Sequence, residues 1–181
     1  MPSWPPAAKL VAFPTDHGVP SQGYCFTLDR AGKFLPQKAQ ALGVPVSAWG
    51  RLQQGERVQV GDQIIAPRQV MDAPRKGLKV VFSGDTTICD PLIAAANEAD
   101  LLICDATYGE TAQAEQVTRH GHMSFAQAAT VAAKAGAKRL WLAHYSPRIE
   151  DPQAYLPLAQ AIFENAVCGT DGMKTTLTYE A

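Results

Sequence analysis

Apolar positions along the chain fall into two regimes. Residues 9–13 (KLVAF) and 23–28 (GYCFTL) are short aliphatic and aromatic runs flanked by Pro, Gly and Ser, the pattern of strands. From Leu78 onward the pattern is regular. LKVVFSG (78–84) predicts a strand, DPLIAAANEA (90–99) a helix, ADLLICDA (99–106) a strand and TAQAEQV (111–117) a short helix. SFAQAATVAAKAG (124–136) predicts a helix, KRLWLAH (138–144) a strand, PLAQAIFEN (157–165) a helix and MKTTLTYE (173–180) a final strand. Strands alternating with helices predict an α/β layered domain. Residues 29–76 break this rhythm. They are rich in Gly, Pro and Gln, with a helix pattern at 36–42 and broken strands near 58–60 and 63–65, so they read as an excursion from the core.

Helix starts are marked. Asp90 is placed as an N-cap with Pro91 at the first helical position. SFAQ reads as a capping box between Ser124 and Gln127. Ala128, Ala129 and Ala132 then offer a small face for close packing on a sheet.

At 181 residues, 46% hydrophobic and 18% charged, the chain can bury one ordinary core. No apolar run is long enough for a membrane span, and the start MPSWPPAAKL lacks a basic segment followed by an apolar stretch. A cytoplasmic protein is expected. Cys25, Cys89, Cys104 and Cys168 form no C-x-x-C and sit in or beside apolar runs. They read as reduced thiols, not as a thiolate metal site. Charge is uneven: residues 30–79 hold nine basic against three acidic side chains, a net +6, within a chain of net charge −1. That segment suits a polyanion, or is simply a solubilising surface.

Three predicted strands end near a potential metal ligand: His17, Asp85 and His144. Imidazole and carboxylate together suit zinc, manganese or iron. Each also has an ordinary reading, Asp85 as a turn aspartate and His144 as a hydrogen-bonded core histidine. His120 and His122 precede the Ser124 cap, near a positive helix end where an anionic group such as a phosphodiester would be welcome. A histidine there suits proton transfer or stabilisation of a leaving oxygen.

Six motifs, in order from about Lys9 to Tyr179, carry a resemblance: H-G-V-P-S-x-G-Y, P-x-K-A-x-x-L-G-V-P, W-G-x-L-Q-x-G-E, P-R-K-G-x-K-V-V-F-S-G-D-T, G-H-M-S-F-x-Q-A-A and L-W-L-A-H-Y-S-P-R. The chain resembles ribonuclease Z, a zinc phosphodiesterase of the metallo-β-lactamase fold that trims the 3′ end of precursor tRNA. The resemblance implies an αβ/βα sandwich, of which this chain matches the C-terminal half over residues 1–181, with a flexible arm inserted at 29–57. It implies two zinc ions, with manganese or iron as alternatives. His17 would bind the first metal, Asp85 would bridge both and His144 would bind the second. His122 would assist catalysis beside the scissile phosphate, with Asp105 in the acidic role. The arm residues Arg30, Lys33, Lys38, Arg51 and Arg57 would grip tRNA. His120 has no implied role. A homodimer is implied for the complete enzyme, or association with an N-terminal half.

The family's His-x-His-x-Asp-His signature lies upstream of the matched region and is absent from this sequence. With one ligand for the first metal and two for the second, neither ion is expected to bind tightly. Val46-Ser47-Ala48-Trp49 stands where many members carry Gly-Pro in the arm. Ala143-His144-Tyr145-Ser146 replaces T-H-x-S, and Cys104-Asp105-Ala106-Thr107 replaces H-E-A-T. A hydrolase of small esters or phosphodiesters, and a non-catalytic remnant or RNA-binding module, therefore stand as alternatives.

Overall fold

The computed structural model describes residues 7–110 and 121–180. The elements in chain order are β1 (Ala8–Asp16), β2 (Pro20–Arg30), α1 (Pro36–Ala41), α2 (Trp49–Gln53), β3 (Val58–Val60), β4 (Gln63–Ile65) and β5 (Arg75–Phe82). They continue with α3 (Asp90–Ala96), β6 (Leu101–Asp105), α4 (Phe125–Ala135), β7 (Leu140–Ala143), α5 (Leu156–Gln160) and β8 (Ala166–Cys168). The chain divides into two compact units, one running to Leu28 and resuming over Leu78–Tyr179, the other Asp29–Gly77.

In the larger unit six strands form one sheet in the order β1-β2-β5-β6-β7-β8. β1 and β2 are an antiparallel hairpin, whereas the β5–β6, β6–β7 and β7–β8 pairs are parallel. Helices connect the parallel strands, because a parallel pair needs a long crossover. On one face Val81, Leu102, Cys104, Leu140 and Leu142 are buried with Leu92, Phe125 and Val131. Helix α4 packs on β6 and β7, and α3 and α5 pack on α4. Ala128, Ala129 and Ala132 are fully buried, as the small face of that helix requires. Burying each Leu contributes about 1.5–3 kcal/mol.

The start of α4 is the expected capping box. Gln127 N donates to Ser124 Oγ (3.2 Å) and Ser124 N donates to Gln127 Oε1 (2.9 Å). Gly136, at φ 61°, closes the helix in the left-handed region that a side chain disfavours.

The opposite sheet face has a different character. Phe82, Ile103, Trp141 and Val167 are in lateral register across β5, β6, β7 and β8. Side chains alternate along a strand, so this row points away from the helices. Phe82 and Val167 are exposed. A groove of about 740 Å³ lined by Ile103, Trp141, Cys168 and His144 runs along it. The described residues of the larger unit thus supply one sheet and one helix layer.

The structure departs from the sequence reading at several ends. The N-cap of α3 is Cys89, and Asp90 is already helical, because Cys89 holds the extended backbone (φ −143°, ψ 151°) of a cap. That helix stops at Ala96, and α5 takes in only Leu156–Gln160 where the pattern predicted helix over 157–165. β8 leaves no visible pattern in the sequence, being only three residues long. Residues 173–180 are assigned to no strand, so the predicted final strand does not form among the described residues. A strand exists only through its neighbour, and sequence periodicity cannot supply one. The predicted helix at 111–117 and His120 lie outside the described residues.

The smaller unit has a core of its own: Ala39, Leu52, Val58, Ile65 and Val70 are buried, with Phe34 and Trp49 packed on it. Helices α1 and α2 and the β3–β4 hairpin contribute its walls. Its ends are tied by Leu35 N to Val70 O (2.8 Å) and Asp72 N to Lys33 O (2.8 Å). This compact unit runs Asp29–Gly77, past the 29–57 expected for the arm, because β4 and Val70 furnish part of the same core. Lys33, Lys38, Arg51 and Arg57 are exposed on it and Arg30 is partly buried. Arg51 Nε donates to Glu56 Oε2 at 2.8 Å, so its charge is paired.

Candidate metal centre

The site lies in the larger unit, where strand ends and the loops after them converge. His17 follows β1, Asp85 lies in the loop after β5, Asp105 ends β6, His144 follows β7 and His122 precedes the cap of α4. Backbone tethers bring the first two together. Thr87 N donates to Asp16 O (2.8 Å) and Asp16 N to Thr86 Oγ1 (3.1 Å). Thr86 is fully buried, so the S-G-D-T-T loop is clamped against the end of β1.

Asp85 stands between two imidazoles. Its Oδ2 is 4.0 Å from His17 Nε2 and its Oδ1 is 3.5 Å from His144 Nε2. His122 adjoins both rings, 4.6 Å from the His17 centroid and 5.1 Å from that of His144. The sequence candidates His17, Asp85, His122 and His144 are thus gathered in one place. The group His17, Asp85 and His122, and the group Asp105, His122 and His144, each hold ligand atoms within 4.8 Å of one another.

The chemistry of the donors separates these two groups. Asp105 is buried, and both its oxygens are in use. Oδ1 accepts from Thr107 N (2.9 Å) and Thr107 Oγ1 (2.7 Å). Oδ2 accepts from Thr86 N (3.1 Å) and His122 Nδ1 (2.6 Å). Such a carboxylate orients its neighbours and has little left for a metal. Asp85 is half-exposed and points both oxygens at imidazoles, as a metal-holding carboxylate does.

The imidazole tethers fit the same reading. His17 Nδ1 lies 2.9 Å from Gly121 O, a carbonyl that can only accept, so Nδ1 donates and Nε2 is the lone-pair atom of the neutral ring, on the side of Asp85. Gly121 allows this approach. Its φ is 65°, and a Cβ there would fall 2.4 Å from His17 Cα. His144 has φ 61°, a left-handed conformation costing roughly 1–3 kcal/mol for a non-glycine residue. Residues with nitrogen and carboxylate donors arranged this way fit zinc, manganese or iron.

Asp105 also raises its neighbours. Burial, with the Asp105 carboxylate adding to it, pushes the Cys104 thiol well above its usual range. The same two causes raise the Tyr108 hydroxyl. Cys104 is therefore a neutral packing group and no nucleophile.

Sequence reasoning assigned no part to Thr86, Thr107 or Gly121. One signal was available: a Thr two residues after Asp105 is the spacing at which an aspartate side chain accepts from a backbone amide.

The Beta-lactamase superfamily domain model matches residues 69–145. A protein of Lachnospira eligens named Ribonuclease Z is 38% identical over 172 residues, covering 95% of this chain and 57% of its own length. The crystal structure of human tRNase Z, short form, superposes with a TM-score of 0.55 at 21% identity, covering 98% of this chain and 46% of that one. The metallo-β-lactamase fold protein YhfI of Bacillus subtilis gives 0.52 at 18% identity, covering 93% and 49%. The chain spans about half the length of the curated relatives it matches. Over some nine-tenths of its length the chain is similar to proteins named Ribonuclease Z, and its site-bearing α/β layers are those of the metallo-β-lactamase fold.

Proposed function

We propose that the chain carries part of the active site of a metal-dependent phosphodiesterase that processes the 3′ end of precursor tRNA. The observation that carries this reading is the position of Asp85 between His17 and His144, with His122 beside them backed by the buried Asp105. Zinc is the proposed ion, held by His17, Asp85 and His144. When bound, it supplies Lewis acidity to a phosphate and lowers the pKa of water.

The residues divide the remaining work. Asp105 accepts the Nδ1 proton of His122 in a hydrogen bond, which leaves Nε2 as the atom that handles a proton. As a water oxygen forms a new bond to phosphorus and gives up its proton to solvent, that nitrogen, when protonated, would deliver its proton to the 3′ oxygen, whose P–O bond breaks to leave a hydroxyl. The exposed Lys33, Lys38 and Arg57 of the smaller unit would hold RNA through phosphate contacts, which position without reading bases.

The apolar row Phe82, Ile103, Trp141 and Val167, exposed at Phe82 and Val167, supports a further part of the proposal: this face is covered by the remainder of a full-length relative. The test is to purify the chain alone and with the complementary portion of the Lachnospira eligens relative. Metal per chain, cleavage of precursor tRNA and cleavage of a chromogenic phosphodiester are measured for both. Metal uptake and tRNA cleavage with the complement support the reading. Cleavage of the small ester with tRNA left intact overturns it in favour of a small-phosphodiester hydrolase. RNA binding with no metal and no cleavage points to a non-catalytic module.

A further inference from the structure

We infer that Thr107 is a positioning residue through which one buried carboxylate, Asp105, sets the proton placement of a second imidazole, His144. This deepens the metal-centre reading and rests on it. Thr107 is 7% exposed. Its Oγ1 lies 2.7 Å from Asp105 Oδ1, 2.9 Å from His144 Nδ1 and 3.0 Å from His144 O.

A hydroxyl has one proton and two lone pairs. The carboxylate and the carbonyl can only accept, and the carboxylate is both nearer and charged, so it takes the proton. A lone pair then faces His144 Nδ1, which must donate. His144 carries its proton on Nδ1, and its Nε2 is a bare lone pair 3.5 Å from Asp85 Oδ1. The opposite arrangement would surrender the 2.7 Å contact to a carboxylate. In exchange it would point an N–H at Asp85 across 3.5 Å, too long for a good hydrogen bond.

Asp105 thus serves two rings. It orients His122 directly from Oδ2 and His144 through the Thr107 hydroxyl from Oδ1. The two rings are stacked, with planes 24° apart. His122 is prepared for proton transfer and His144 for a metal, by opposite oxygens of one group. Valine at 107 keeps the shape and removes the relay, whereas serine keeps the relay.

The experiment uses the metal-free 181-residue chain with nitrogen-15 histidine, observed by NMR at a pH well above the imidazole range. The wild type shows Nδ1–H tautomers at both His122 and His144. T107V shifts His144 away from Nδ1–H while His122 keeps it, which also reports that the fold is intact. T107S restores His144. Zinc titration shows about 10–100-fold weaker binding for T107V and none of that loss for T107S. An Nε2–H tautomer at His144 in the wild type overturns the inference, as does a His144 signal unmoved in T107V. If T107V does not fold, the wild-type and T107S spectra decide. The tautomers are read without turnover, so loss of the proposed nuclease activity leaves this result standing, and the reverse holds too.

Discussion

Nδ1 of His122 lies 2.6 Å from Oδ2 of Asp105, which β6 buries at its end. In the completed enzyme, His122→Ala should lower turnover by about 10²–10⁴-fold. Metal content measured by elemental analysis should stay near normal. Loss of metal would make His122 a ligand, a role its place beside His17 and Asp85 also permits.

Asp85→Ala should have the reverse signature. The side chain is half-exposed and faces two imidazoles, so removing it takes away a ligand without opening a core. Bound metal should fall while the far-ultraviolet circular dichroism is unchanged. A variant that retains the full complement of metal would remove Asp85 from the centre.

Reversing Lys33, Lys38 and Arg57 to Glu should weaken RNA binding and flatten its salt dependence. For every phosphate that these side chains no longer neutralise, the slope of log K against log salt should fall by about 0.7–0.9. Arg51→Ala should do less, because Arg51 is already paired with Glu56. Anisotropy titrations across ionic strength read this directly. A matching loss of small-phosphodiester hydrolysis would show that the unit is not a separate RNA grip.

Leu52 is completely buried in the core of the 29–77 unit. Leu52→Ala should cost that unit about 2–5 kcal/mol. Hydrogen exchange should quicken over residues 36–70 and stay slow in α4 and β7. Uniform loosening of both units would contradict two separate cores.

Alkaline pH should destabilise the fold through its buried thiols. The folded Cys104 thiol ionises at a far higher pH than an unfolded one, through burial first and the Asp105 charge second. Its contribution is whole below about pH 8.5 and is lost as pH rises further, by about 1.4 kcal/mol per pH unit for a single group. Burial raises Cys25 and Cys168 in the same direction. Cys104→Ala should flatten the decline in denaturation midpoints above about pH 9, whatever it does to stability at neutral pH. An unchanged decline would show that Cys104 does not take part.

Local order was legible in the sequence. The alternation after Leu78, the reciprocal cap of Ser124 and Gln127, the alanine face of α4 and the strand-end positions of His17, Asp85 and His144 are short-range properties, encoded within a turn or two of chain. Tertiary structure alone decided pairings across long separations. His17 meets the Gly121 carbonyl 104 residues away, and Thr107 meets His144 across 37. It also demoted residues 173–180 from a strand and made one of residues 166–168, since pairing depends on what lies alongside. Asp105 shows the division most sharply. The sequence marks it as an acidic residue at a strand end, but sheet register buries it among Thr86, Thr107 and His122, where desolvation demands that every lone pair find a donor.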